Sequence, residues 1–244
     1  MRRFLTMYII EQKISFRSPD VILFGLMMPV VVFGIITMIM GNKEASLGLT
    51  FIQSSYVSLS TVGICCVAFM GIPIMIVELR NMNVLRRMYC SPCSPARLLA
   101  CDVLSCGVIA ITSTLILTIV ALFFGYRMQG NVLIFMGVWL LTMLSMFSIG
   151  LLVASLCRTT KSMNVATSLL YFPMLLFSGA TIPAEVFPES VYAISKWMPL
   201  GIGIDALKKV SIGCFDGILV AVGVLSIMAI VCMSIAVKTF RWEL

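Results

Sequence analysis

Residues 132–156 read VLIFMGVWLLTMLSMFSIGLLVASL and contain no charged side chain. About 20 consecutive apolar residues in a helix cross the roughly 30 Å hydrocarbon core of a bilayer. The bilayer offers no water to the backbone, so a spanning segment must satisfy its own hydrogen bonds, as an α-helix does. The stretch therefore predicts a transmembrane helix.

The rest of the chain repeats this pattern. Hydrophobic residues make up 61% of the 244 positions and charged residues 11%, whereas a soluble domain is about 45–50% apolar and about 25% charged. Six uncharged stretches are long enough to span. We predict an all-α polytopic membrane protein, with a helix at 1–20 followed by a transmembrane domain at 21–244. The spans are expected near 21–40, 55–77, 103–126, 132–156, 162–184 and 217–237.

The positive charges predict the orientation, because cytoplasmic loops carry an excess of Lys and Arg. With six spans, 12 of the 17 Lys and Arg residues fall on one side: Arg2, Arg3, Lys13, Arg17, Arg80, Arg86, Arg87, Arg97, Arg158, Lys161, Lys238 and Arg241. The other side holds Lys43, Arg127, Lys196, Lys208 and Lys209. We therefore expect a multi-pass protein of the cell membrane with both termini in the cytoplasm. The net charge of +7 then favours contact with anionic lipids, not with nucleic acid.

Residues 1–20 are not apolar enough to span. Phe4, Leu5, Tyr8, Ile9 and Ile14 recur near helical spacing, with charged residues between them. This pattern favours an amphipathic helix lying along the cytoplasmic membrane surface. The alternative is a frayed basic tail.

The largest predicted cytoplasmic loop follows the second span. In it, Leu79, Met82, Leu85 and Met88 repeat every three residues among arginines, and Ser91-Pro92 ends the pattern. A short amphipathic helix fits this spacing. An ordinary positively charged topology loop fits it equally well.

The segment 185–216, between the last two predicted spans, is apolar but interrupted by charges. No uncharged run in it reaches spanning length, and Pro183, Pro188 and Pro199 punctuate it or lie just before it. One or two short helices, re-entrant or lying at the outer interface, are expected.

The sequence lacks the residues that several kinds of catalysis and ligand binding require. The chain has no histidine and no G-x-x-x-x-G-K-[ST] phosphate loop, and its predicted spans carry no ionisable side chain in their interiors. Cys90 and Cys93 form one C-x-x-C, too few ligands for a zinc site. We therefore expect no catalytic, cofactor-binding or metal-ligating residue. If the chain pumps a solute, another subunit must supply the energy.

Three segments together resemble the membrane subunit of an ABC-2 type exporter, with a likeness to type V drug and antibiotic exporters. They are ELRNMNVLRRMYCSPCSP at 78–95, FSGATIP at 177–183 with Phe187-Pro188 and Met198-Pro199-Leu200 after it, and FRWE at 240–243. The glycine that the family usually has after the acidic residue is missing, and Asn81 and Asn83 occupy that stretch. The resemblance extends over the whole chain in order and length.

The resemblance implies partners and functional segments. It implies a second permease subunit, in a homodimer or heterodimer, and separate ABC ATPase subunits that bind ATP and Mg. It also implies that the loop after the second span couples to the ATPase, through Glu78, Leu79, Met82, Leu85, Arg86, Arg87 and Met88. An outer gate is expected at Gly179, Pro183, Pro188 and Pro199.

The function implied is a permease, not an enzyme, that exports drugs, antibiotics or antimicrobial peptides. Within the family, the alternative is export of a lipid-linked glycan or another component of the cell envelope. Outside it, the alternatives are an ion-coupled carrier or channel and a membrane scaffold. A carrier usually has charges inside its spans, which this sequence lacks.

Overall fold

The structure, a computed structural model, describes residues 6, 8–10, 12–13, 21–40, 49–81, 95–157, 159–181 and 194–239. Its α-helices are α1 (Met28–Met40), α2 (Phe51–Cys66), α3 (Ile72–Asn81), α4 (Pro95–Phe123), α5 (Val132–Leu156), α6 (Thr160–Phe177), α7 (Pro199–Ile212) and α8 (Ile218–Thr239). Two π-helical segments accompany them: Val21–Met27 precedes α1, and Val67–Gly71 joins α2 to α3. No strand occurs among the described residues, so the predicted all-α fold class is confirmed.

In the described part of the chain, four helices are long and apolar enough to cross a membrane. They are Phe51–Val77, Ala100–Phe123, Val132–Leu156 and Ile218–Thr239. The first predicted span is a shorter apolar helix, Gly25–Ile39. The fifth corresponds to α6, which carries Lys161 in its first turn and Pro173 in its interior. These findings establish a multi-pass membrane protein, while the count of six spans stays a prediction.

Polar side chains set where several helices begin. Thr50 precedes α2, and its hydroxyl accepts a hydrogen bond from the Gln53 amide while the Gln53 side chain accepts one from the Thr50 amide. Asn131 caps α5 through the Leu133 amide, and Thr159 caps α6 through the Ser162 amide. Such caps satisfy backbone N–H groups that a helix leaves without partners at its start.

Helix α2 lies at the centre of the bundle, where it contacts α1, α4, α5 and α7. Helix α5 packs along α8 and also contacts α3, α7 and the π segment Val67–Gly71. Lipid tails are as apolar as leucine, so membrane helices associate mainly through close packing and interhelical hydrogen bonds. Close packing here depends on small residues such as Gly63, Gly150 and Gly203.

The two ends of the bundle can be told apart by the loops they carry. The end where α4 finishes and α5 begins also holds the start of α2, because the Gln53 side chain donates a hydrogen bond to the Arg127 carbonyl at 3.0 Å. Following the charge count, we name this the outer end. In the predicted helix at 1–20, the described residues Thr6, 8–10 and 12–13 are helical, and the remainder of that segment lies outside the description.

Candidate transport path and coupling elements

A π segment interrupts the most enclosed membrane helix. Between α2 and α3, the Ile72 amide donates to the Val67 carbonyl, five residues back instead of the usual four. Proline has no N–H, so Pro73 cannot donate to the carbonyls one turn before it. Pro73, which lacks this donor, lies two residues after the end of the π segment and favours a local departure from α-helical geometry. Single π turns within α-helices are frequent at functional sites.

Gly150 of α5 lies against this π segment. A Cβ atom at Gly150 would collide with the Ala68 carbonyl oxygen. Only hydrogen fits between the two backbones, so no residue other than glycine suits this contact without a shift of one helix. The π segment is therefore held against α5 at a backbone-to-backbone contact.

Ser113 of α4 connects three helices at a second close contact. Its hydroxyl donates a 2.5 Å hydrogen bond to the Gly25 carbonyl, which belongs to the π segment before α1. A Cβ atom on Gly63 of α2 would lie 2.7 Å from the same hydroxyl oxygen. The two π segments also contact each other. Thus a serine and two glycines join the first three membrane helices where both π segments lie nearby.

Aromatic residues fix the outer end of α2. The hydroxyl groups of Tyr56 and Thr118 are 2.8 Å apart and share a hydrogen bond. The ring of Tyr56 lies 4.2 Å from that of Tyr126 and 6.4 Å from that of Phe135, centroid to centroid. Deeper in the bundle, the Trp139 indole donates to the Ser60 carbonyl at 3.4 Å. The outer half of α2 is thereby bound to both α4 and α5.

Helix α7 extends from the outer end into the bundle. Val210, near its end, lies against Gly130 in the loop before α5, whereas a Cβ atom on Gly203 would lie 2.6 Å from the Thr142 methyl group. Thr142 is ten residues beyond Val132, the first residue of α5, or about 15 Å at roughly 1.5 Å per residue. This is about half of a hydrocarbon core of roughly 30 Å. A helix within 185–216 therefore reaches into the bundle beside α5.

The predicted gate residues lie at the start of α7 or before it in the chain. Pro199 is the first residue of α7, where its missing N–H costs no helical hydrogen bond. Gly179 follows α6 with a positive φ of 78°, a conformation that favours glycine. Pro183 and Pro188 lie outside the described residues, so the structure gives no geometry for them.

Among the described residues, one acidic and one basic side chain are buried. Asp102 in α4 is fully buried, and Lys208 in α7 is only 5% exposed. The neighbouring Lys209 is partly exposed and forms a 3.0 Å ion pair with Asp205. Asp102 lies near one end of its helix, as the sequence indicates, but the burial of Lys208 has no sign in the sequence.

The predicted coupling residues are only partly described. Helix α3 continues to Asn81, so the backbone at Glu78 and Leu79 belongs to the membrane helix and not to a separate loop helix. Met82, Leu85, Arg86, Arg87 and Met88 lie outside the described residues. The prediction of a coupling helix beginning at Leu79 is thus untested over most of its length.

The residues of the close contacts were not predicted from the sequence. The one G-x-x-x-G of the chain, Gly213 to Gly217, has positive φ at both glycines in the turn between α7 and α8. The close contacts involve Gly63, Gly150 and Gly203 instead. A single glycine in an apolar helix is the one sequence feature that could indicate a close contact. The sequence does not show which of these glycines lies against another helix.

Packed apolar helices, a central helix with buried hydroxyls and a helix that reaches half-way along α5 describe a multi-pass membrane protein. A family model described as ABC-2 family transporter protein matches residues 42–238. The match covers most of the chain, which therefore belongs to the ABC-2 transporter family. No curated protein matches it.

Proposed function

We propose that this chain is the permease subunit of an ATP-driven exporter in the cell membrane, with both termini in the cytoplasm. Its substrates are drugs, antibiotics or antimicrobial peptides. The observation that carries the proposal is α7, which lies against the loop before α5 at Gly130 and against α5 itself at Thr142. Together with membership of the family, such a half-depth helix supports an outer gate that closes a path through the membrane.

The energy comes from separate subunits in this proposal. ABC-2 permeases generally work with ABC ATPase subunits, and those subunits bind ATP and Mg. A second permease subunit, identical or related, completes the assembly, and the exposed apolar faces of the helices contact that subunit and membrane lipids. The permease itself catalyses no reaction.

The chemistry of the bundle supports an amphiphilic substrate. Its central helix contributes buried hydroxyl groups, including Ser55 and Ser58, while its core is aliphatic and aromatic. Hydroxyl groups bind polar substrate atoms without requiring an opposite charge, and the apolar residues accept hydrocarbon. An ion-coupled carrier or a channel has less support, because the chain matches the ABC-2 transporter family and the middle of each candidate span carries no charged residue.

One observation favours the second candidate, export of a lipid-linked glycan or another envelope component. Lys208 is buried on the gate helix α7. A buried lysine ammonium can form charge-assisted hydrogen bonds with phosphate, and lipid-linked envelope precursors carry anionic phosphate. If this candidate applies, Lys208→Met lowers transport of an anionic lipid much more than transport of a neutral drug.

Transport in a defined system tests the proposal. The permease and its ATPase are reconstituted in proteoliposomes and supplied with fluorescent amphiphilic drugs, cationic peptides and phosphate-linked lipids in parallel. ATP-dependent movement of drugs or peptides supports the leading candidate, and movement of the phosphate-linked lipid alone supports the second. Movement that follows an ion gradient without ATP rejects both.

A further inference from the structure

We propose that the π segment Val67–Gly71 is the hinge through which movement of the ATPase reaches the transport path. The inference rests on the proposed function, since it requires an ATPase at the cytoplasmic end. It adds a positioning role for three residues that bind neither nucleotide nor substrate: Pro73, Gly150 and Gly71. Three features of the molecule carry it.

The first feature is the contrast between the two sides of the segment. On the outer side, every residue of α2 from Ser54 to Cys66 is buried. This half is also tied to its neighbours, because the Ser60 carbonyl accepts from Thr114 and from Trp139 and Tyr56 bonds to Thr118. On the other side, α3 runs to Asn81, where the predicted coupling loop begins. Helix α3 is less completely enclosed, since Ile74 and Met75 are only half-buried. Motion entering through α3 therefore meets a fully buried, hydrogen-bonded helix at the π segment.

The second feature is the hydrogen-bond pattern of the segment. The Ile72 amide bonds to Val67, and moving it to the Ala68 carbonyl would restore the α-helical pattern. Pro73 has no amide hydrogen in either arrangement, so it loses nothing when the pattern changes. The helix can therefore switch between the two arrangements, and the switch turns α3 about its axis relative to α2.

The third feature is a pivot without side chains. Gly150 of α5 meets the Ala68 carbonyl backbone to backbone. A Cβ atom on Gly71 would lie 3.5 Å from the Cys106 sulfur of α4, at ordinary van der Waals distance, so the other end of the segment also lies next to a neighbouring helix. Glycine at both contacts leaves no side chain to collide when the segment turns. Discrete two-state elements of this kind are what coupling between distant sites requires.

Hydrogen exchange on the intact complex tests the hinge directly. The permease is co-purified with its ATPase, placed in nanodiscs and compared without nucleotide and with ATP plus vanadate. We expect a nucleotide-dependent change in amide exchange within 67–76 and none within 51–66. Equal changes over both stretches, or no change in 67–76, would overturn the hinge.

Matched variants separate a hinge from a merely structural contact. Pro73→Ala supplies the missing amide and favours the α-helical pattern, so ATP-driven transport falls at least tenfold while ATPase binding stays at the level of the parent. The nucleotide-dependent exchange change at 67–76 is lost as well. Pro173→Ala, which changes a proline inside α6, keeps both readouts. Parental transport in Pro73→Ala, or loss of its ATPase binding, contradicts the proposal.

A glycine pair covers the case in which Pro73→Ala does not fold. Gly150→Ala places a methyl group at the pivot, whereas Gly137→Ala on the same helix meets nothing within 4 Å. Only Gly150→Ala should lower transport per ATP hydrolysed and suppress the exchange change. If the two variants behave alike, the hinge is rejected.

The parent protein separates failure of the hinge from failure of the proposed function. If the parent captures no ATPase, the proposed function fails and the hinge fails with it. If the parent captures the ATPase but its amide exchange changes uniformly, the hinge alone is rejected.

Discussion

Two candidate spans, Phe51–Val77 and Ile218–Thr239, are both strongly apolar, but the first is enclosed by other helices and the second is largely exposed. In the most apolar part of Phe51–Val77, 78% of the residues are buried, against 11% for Ile218–Thr239. The enclosed helix carries several serines, one threonine and a tyrosine, whereas α8 is aliphatic on almost every side. Apolar character therefore places a helix in the membrane but does not decide whether it lies inside the protein.

Small and polar residues account for the difference. Gly63 lets α4 approach α2, and the hydroxyls of Ser113 and Tyr56 bond across helices. Helix α8 buries only Ile218, Leu225 and Ala236, and its other side chains are partly or largely exposed. Interhelical contacts of this kind replace the hydrophobic effect as the source of specificity inside a membrane.

The sharpest test of this comparison removes one leucine from each helix. Leu59 of α2 is 1% exposed and Leu219 of α8 is 86% exposed. Leu59→Ala should cost about 2–5 kcal/mol because it leaves a cavity, and Leu219→Ala should cost almost nothing. Thermal unfolding of the detergent-purified protein measures both. Equal losses of thermal stability would show that the enclosed position of α2 is wrong.

A smaller effect is expected from filling a close contact. Gly63→Leu introduces a side chain whose Cβ lies 2.7 Å from the Ser113 hydroxyl, whereas Gly223→Leu in α8 meets nothing within 4 Å. Overpacking typically costs about 1–3 kcal/mol, and both variants gain the same helix propensity, so the difference isolates the contact. Size-exclusion chromatography after heating gives the comparison. If the Gly223→Leu protein is less stable than the Gly63→Leu protein, the predicted close contact at Gly63 is contradicted.

Several parts of the architecture could be predicted from sequence and others could not. Uncharged stretches such as 132–156 identify an all-helical membrane protein, and the motifs at 78–95 and 177–183 indicate the family. The enclosure of α2 and the depth of α7 escape prediction, because core and lipid faces are equally apolar and contacts such as Gly203 with Thr142 join distant positions. The π segment has one local sign, Pro73, which is equally compatible with a simple kink.

The smallest expected effect concerns a single hydrogen bond of the enclosed helix. Tyr56→Phe removes the hydroxyl that bonds to Thr118 but keeps the ring beside Tyr126. Hydrogen bonds between membrane helices average about 0.6 kcal/mol, so the unfolding temperature should fall only slightly. Tyr56→Ala should lower it much further, since the ring packing is lost too. The comparison is contradicted if Tyr56→Phe is as unstable as Tyr56→Ala.

The central claim, a permease that depends on a separate ATPase, is tested most directly by quantitative pull-down of that ATPase. The parent is compared with Met82→Asp, which puts an unpaired charge in the predicted coupling loop, and with Lys209→Gln at the outer end, a better control than the buried Lys208. We expect the parent and Lys209→Gln to capture equal amounts and Met82→Asp to capture at least tenfold less at equal membrane insertion. No capture by the parent would contradict the claim itself, and parental capture by Met82→Asp would contradict the coupling loop.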